Sequence, residues 1–357
     1  MIRLEKRPQP SRAWVFATPV LAVVLTMIVG GLLFAALGQN PFETIRTIFF
    51  DPLFSEFAWF YRPQLLIKGA PLVLIAIGLS FGFRAGIWNI GAEGQFIMGA
   101  VCGAAAGLAV YPSESALLYP AMMFFGALGG FLWAMIPALL KIKFNTNEIL
   151  VSLMLVYVAF NILSGLVTGP LRDPDGLNFP ESRSFRSYEA AYNPELWSGT
   201  GIHLGVIFMF IMVVLAYVFY SRHIMGFHIR LMGEAPRAAR FAGISPSLIV
   251  AGCLGLSGAL AGLAGLFEVT GPAGKLSTTF PLGYGFTAII VAFLGRLHPI
   301  GILFAGLLLA ITFVGGDIIQ SSMSLPKASI QVFQGMLLFF LLAVDFLINY
   351  RIAWKVG

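Results

Sequence analysis

Few residues of this chain could do chemistry, and most of them stand where apolar runs begin or end. The four histidines, His203, His223, His228 and His298, lie at such ends, and none has metal-ligand spacing. The two cysteines, Cys102 and Cys253, fall inside apolar runs, which points to neither a disulfide nor a metal site. No Gly-Lys-Ser/Thr phosphate loop is present, so the chain does not bind and hydrolyse ATP by that route. The acids Glu93, Glu148, Glu268, Asp317 and Asp345 also map near run ends. A charge at the centre of a bilayer costs about 2.5–3.5 kcal/mol and normally marks an ion or proton relay. With none expected at mid-depth, proton-driven transport is disfavoured, and no catalytic residue, metal or cofactor is expected.

Three polar stretches at membrane depth and one between runs remain. In Phe81–Ala100, Asn89, Glu93 and Gln95 interrupt a glycine-broken pattern and need buried partners, as a re-entrant or hairpin motif would supply. In Asn145–Ser152, Asn145 with Glu148 three residues on resembles a capping box opening a helix. Along that helix Glu148, Ser152, Leu155 and Ala159 share a face, which is expected to line a translocation path. Asn161, on the other side, is expected to bond a neighbouring helix. The glycines Gly255, Gly258, Gly262 and Gly265, echoed by Gly99, Gly103 and Gly107, predict close helix packing. The basic segment Ser221–Ser245 holds a short helix signal, with Pro236 at a first turn, Glu234 before it, Arg237 and Arg240 after, and Gly243 as a left-handed stop. Roughly two turns are too short to stand alone in water. The segment therefore reads as a docking element held by a soluble partner.

The elements that position these residues are membrane spans. Of 357 residues 58% are hydrophobic and 11% charged, well below the ~25% charged residues of soluble domains. Dispersed basic residues, at a net charge of +6, exclude nucleic acid as a partner. Apolar runs place spans at Ala13–Leu37, Pro63–Phe83, Gly94–Val110, Ser115–Leu140, Glu148–Thr168, Gly201–Ser221, Pro246–Phe267, Leu282–Gly295, His298–Ile319 and Ala328–Asn349. Leu282–Gly295 is short for a crossing of about 20 residues, so it is tilted, completed by part of Gly271–Pro281, or re-entrant. The aromatic stretch Gly38–Arg62 suits the membrane–water interface. The expected fold is an all-α polytopic membrane protein of about ten helices forming one domain over 1–357, with a hint of two inverted five-helix repeats. Alternating loops then collect fourteen Lys and Arg on one side and seven on the other. That bias puts both termini and the 222–246 loop in the cytoplasm and the 169–200 loop outside.

Four segments together carry a resemblance: GIWNIGAEGQFIMGA, NEILVSLML, GEAPRAARFAGIS and FLGRLHPIG. They resemble the permease subunits of bacterial ABC importers for simple sugars, nucleosides and branched-chain amino acids. The Glu-Gly-Gln at Glu93–Gln95 looks closest to the nucleoside branch. The resemblance implies a multi-pass inner-membrane permease without an ATPase site of its own, forming the path for nucleosides or a related sugar-type solute. It also implies a cytoplasmic ABC ATPase, a second permease in a homo- or heterodimer, and an extracytoplasmic substrate-binding protein. The ATPase-docking residues would be Gly233, Glu234, Ala235, Arg237, Arg240 and Gly243, although Pro236 replaces the second Ala of the better known Glu-Ala-Ala pattern. The alternative is an ion-coupled secondary transporter acting alone. A membrane enzyme is disfavoured because no nucleophile, base and metal ligands cluster.

Overall fold

The computed structural model describes residues 2–6, 11–197, 199–348 and 350–354. Arg7 and Lys355 of the charge count, and the expected span end Asn349, lie outside them. In chain order, β1 (Ile2–Lys6) precedes α1 (Arg12–Ala36), α2 (Pro41–Phe49), α3 (Asp51–Phe54) and α4 (Ala58–Arg84). Next come α5 (Ala92–Leu108), α6 (Leu118–Phe144), α7 (Glu148–Thr168), α8 (Leu204–Arg222), α9 (Ile224–Glu234) and α10 (Pro236–Phe241). The chain closes with α11 (Pro246–Thr270), α12 (Tyr284–Leu294), α13 (Pro299–Met323), α14 (Lys327–Asp345) and β2 (Tyr350–Trp354). Nine of these helices are long and apolar enough to cross a membrane, and α12 is a shorter apolar helix of 11 residues. The fold is therefore all-α and polytopic, apart from one pair of strands.

That pair was not expected from sequence. β1 and β2 run antiparallel with Ile2 opposite Trp354 and Lys6 opposite Tyr350. α12, whose 11 helical residues span about 16 Å of a ~30 Å core, is too short to cross as helix alone.

Where the sequence reads as one permease domain, the chain gathers into two compact units, residues 1–62 with 308–357 and residues 63–307. In the first, α1 packs on α14. Phe34 and Phe333 stack with ring centroids 6.0 Å apart, in a core completed by Ile48, Ile319, Leu325 and Ile330. The aromatic run from α3 into the first turn of α4 is left exposed, with Phe54 69% and Trp59 73% accessible, as side chains at an interface require.

In the second unit α5, α6 and α11 pack closely on one another. A side chain at Gly262 would strike the Gly126 carbonyl and the Gly130 backbone, and one at Gly99 would strike Gly262 itself. Close packing is thus why the glycine ladder recurs. The unit also sorts its loops into two ends. At one end, Arg84 donates to the Leu297 carbonyl at 2.7 and 3.1 Å and lies 3.9 Å over the Tyr220 ring, while Gly233 packs on the Arg84 carbonyl. At the other, Tyr188 donates to Ser113 O at 2.7 Å, Ser182 N to Leu276 O at 2.9 Å, and Asn193 N to Thr270 O at 2.9 Å. These are the two sets of loops that charge counting assigns to opposite sides.

Candidate functional site

The polar centre of the second unit is built where two helices start inside the layer. After α4 ends at Arg84, Gly86 turns the chain back with φ +73°, and Ile87 N–H donates to Gly82 O at 2.8 Å. The non-helical residues 87–91 then lead into α5. Gly99 of α5 lies against Gly262 of α11, and Glu93, which follows this non-helical segment, is buried at 4% exposure.

Of the expected motif, Asn89 and Gln95 bond each other, while Glu93 finds separate partners. Asn89 and Gln95 exchange amide hydrogen bonds at 2.9 and 3.1 Å, Asn89 also donates to Ser257 Oγ at 3.0 Å, and Gly91 N–H donates to Asn89 Oδ1. All three polar side chains are buried, and their mutual bonds are what makes that burial tolerable. Glu93, in the first turn of α5, takes hydrogen bonds from Gly283 N–H at 3.0 Å and from Gly285 N–H at the start of α12. Its carboxyl thus lies where the positive ends of two helices meet. Gly285 permits this approach, because a side chain there would collide with the Glu93 backbone.

Other expectations are revised. Asn145 does not open α7: it ends α6 in the left-handed region at φ 51°, and Asn147 caps α7 by accepting from Ile149 N–H at 2.9 Å. Glu148 pairs with Lys141 and also accepts from Trp88 N–H, while Ser152 Oγ accepts from Ile90 N–H at 3.3 Å. With Ala159 fully buried, the face of Glu148, Ser152, Leu155 and Ala159 is turned onto the re-entrant segment and α5. The expected path-lining face is thus occupied by packing inside this unit. Asn161 is exposed and bonds its own helix, donating to Tyr157 O at 2.8 Å, so its expected bond to a neighbour is not made.

The basic segment folds as α9 and α10. Pro236 opens α10 and Gly243 closes it at φ +77°, as expected, whereas α9 was not foreseen. Arg237, Arg240 and Phe241 are exposed, the last at 94%, while Ala239 is buried. Near the other end, a cavity of 270 Å³ is lined by Lys68, Glu268, Ser277, Thr279 and Phe280 among others. Lys68 and Glu268 are 200 positions apart, and no local pattern links them. His203, buried beside Asn193, accepts from Gly205 N–H at 3.1 Å through Nδ1, and burial lowers its pKa to about 4. Among the described residues no three His, Cys, Asp or Glu side chains gather as metal ligands.

A family described as the permease component of the branched-chain amino acid transport system matches residues 62–342. The chain is 35% identical over 352 residues to the glucose ABC transporter permease TsgB13 of Haloferax volcanii, covering 95% of this chain and 90% of that one. It is 26% identical to the guanosine ABC transporter permease NupP of Bacillus subtilis, with 95% of each chain covered. To the nucleoside ABC transporter permease NupB of Lactococcus lactis it is 27% identical, over 93% and 91% of the two chains. No solved structure matches. A re-entrant polar centre within a multi-pass helical layer and a family match across most of the chain agree: this protein belongs to the branched-chain amino acid transport system permease family, as an ABC transporter permease of the sugar and nucleoside type.

Proposed function

We propose that this permease forms the translocation path of an ATP-driven importer for a sugar-type solute, a nucleoside or a simple sugar. In this reading a separate ATPase docks on α9 and α10 in the cytoplasm, with both termini on that side. A second permease completes the path, and an extracytoplasmic binding protein delivers the solute to the 169–200 face. The observation that carries it is the division of the second unit into two unlike ends. One end presents a short helix with exposed Arg237 and Arg240, and the other opens a polar cavity. Named relatives transport glucose, guanosine and nucleosides, which supports the solute class. The test is uptake of labelled D-glucose and guanosine into cells producing the chain together with an ABC ATPase and a substrate-binding protein from the same organism. Uptake that requires ATP and the ATPase supports the reading.

One observation favours a second reading. Glu93, a buried acid among the spans, is the kind of group an ion-coupled carrier uses. Solute uptake by the chain alone, driven by an imposed proton gradient without ATP, would establish that reading and refute the importer.

A further inference from the structure

We propose that the cavity between Glu268, Lys68 and the 272–282 link is a subsite of the permease itself for the hydroxyl-bearing ring of a neutral sugar-type solute. This rests on the importer reading above and gives the transmembrane subunit its own contact with the cargo. Its 270 Å³ is just under the ~300 Å³ at which small-ligand pockets begin, which matches one sugar ring better than a larger molecule.

The lining chemistry selects the occupant. Glu268 is only 3% exposed, and its Oε2 is buried without a hydrogen-bond partner. Such an oxygen destabilises the fold unless something outside the chain satisfies it. Lys68 stands 5.9 Å over the Tyr284 ring and forms no ion pair among the described residues. Lys275, at the same cavity, is already paired with Glu181. An anionic solute would meet Glu268 and a cationic one would meet Lys68, so neither sign is favoured. A neutral ring with adjacent hydroxyls serves both: one hydroxyl donates to Glu268 Oε2 and another accepts from the Lys68 ammonium. Ser277 and Thr279, 3.1 Å apart, add hydroxyls that donate or accept. Phe280, itself stacked on Phe96, offers an apolar face to the ring C–H groups.

Saturation-transfer NMR on the full chain in nanodiscs tests this with D-glucose and D-ribose as probes and L-leucine as a zwitterionic control. The expected result is transfer to sugar protons, none to L-leucine, and a roughly tenfold or greater weakening of sugar binding in Glu268→Gln. The same variant should unfold in SDS near the parental midpoint, because Gln keeps the side-chain size and breaks no hydrogen bond made by Oε2. Thr279→Val, on the exposed link, should weaken sugar binding severalfold with Glu268 intact. Equal sugar binding by parent and both variants, preference for L-leucine, or no transfer to either sugar overturns the subsite. If sugar binds and Glu268→Gln abolishes it while ATP-driven uptake is absent, the subsite stands and the importer reading falls. If ATP-driven uptake by Glu268→Gln keeps the parental KM and no sugar binds, the subsite falls and the importer reading stands.

Discussion

Removing the Glu93 carboxyl should loosen the start of α12 by an amount the hydrogen bonds define. Its two oxygens accept the Gly283 and Gly285 N–H groups, and the Glu93 side chain is buried. A buried donor left without an acceptor costs ~1–3 kcal/mol. Glu93→Ala strands both donors, so it should destabilise the permease by about 2–6 kcal/mol. In Glu93→Gln the amide oxygen keeps one donor, while the NH₂ faces the other N–H, so the loss should be about 1–3 kcal/mol. SDS-induced unfolding in mixed micelles, followed by circular dichroism, should place the midpoints in the order parent, Gln, Ala. Glu234→Ala, at an exposed position, serves as the control and should match the parent. Equal midpoints for parent and Glu93→Ala would refute the claim that this carboxyl holds the start of α12.

Three further outcomes are expected. In a background lacking Cys102 and Cys253, an impermeant maleimide on intact cells should label Ser187→Cys, whereas Ala238→Cys should react only after lysis; both positions are exposed, unlike the neighbouring Ala239. Labelling in the reverse order would invert the proposed sidedness. Arg240→Glu should abolish ATP-driven uptake at parental membrane abundance, because the Arg240 side chain is exposed and forms no ion pair among the described residues, while a charge reversal at a partner surface weakens docking; parental uptake would remove Arg240 from that interface. His203 has its pKa lowered to about 4 by burial, so the unfolded chain takes up a proton first as pH falls. Its stabilising contribution is complete above about pH 6.5, declines as the pH drops toward 4, and levels off below. His203→Gln should flatten that part of the stability–pH curve, and an unchanged slope would rule the residue out as its cause.

The spans were legible because each must be apolar over a length set by the bilayer, a requirement met residue by residue along the chain. The same locality made α10 readable, since Pro236 and Gly243 act through their own backbone angles. The glycine ladder was also readable as packing, as a missing side chain has few other uses in lipid. Asn145 and Asn147 mark where local signals stop sufficing. Both are good caps, and only the way α6 runs out into a left-handed residue assigns the role to Asn147. Asn89, Glu93 and Gln95 announced that they needed partners, but Ser257, Gly283 and Gly285 lie more than 160 positions away. The close approach of α5 to α11 is set by where backbones can touch at Gly99 and Gly262. The strand pair that joins the termini, and the cavity that brings Lys68 to Glu268, likewise required the folded chain. Sequence by itself determined which residues enter the membrane and which must find buried partners. The tertiary structure alone decided which partners they find, because those contacts join stretches that share no local pattern.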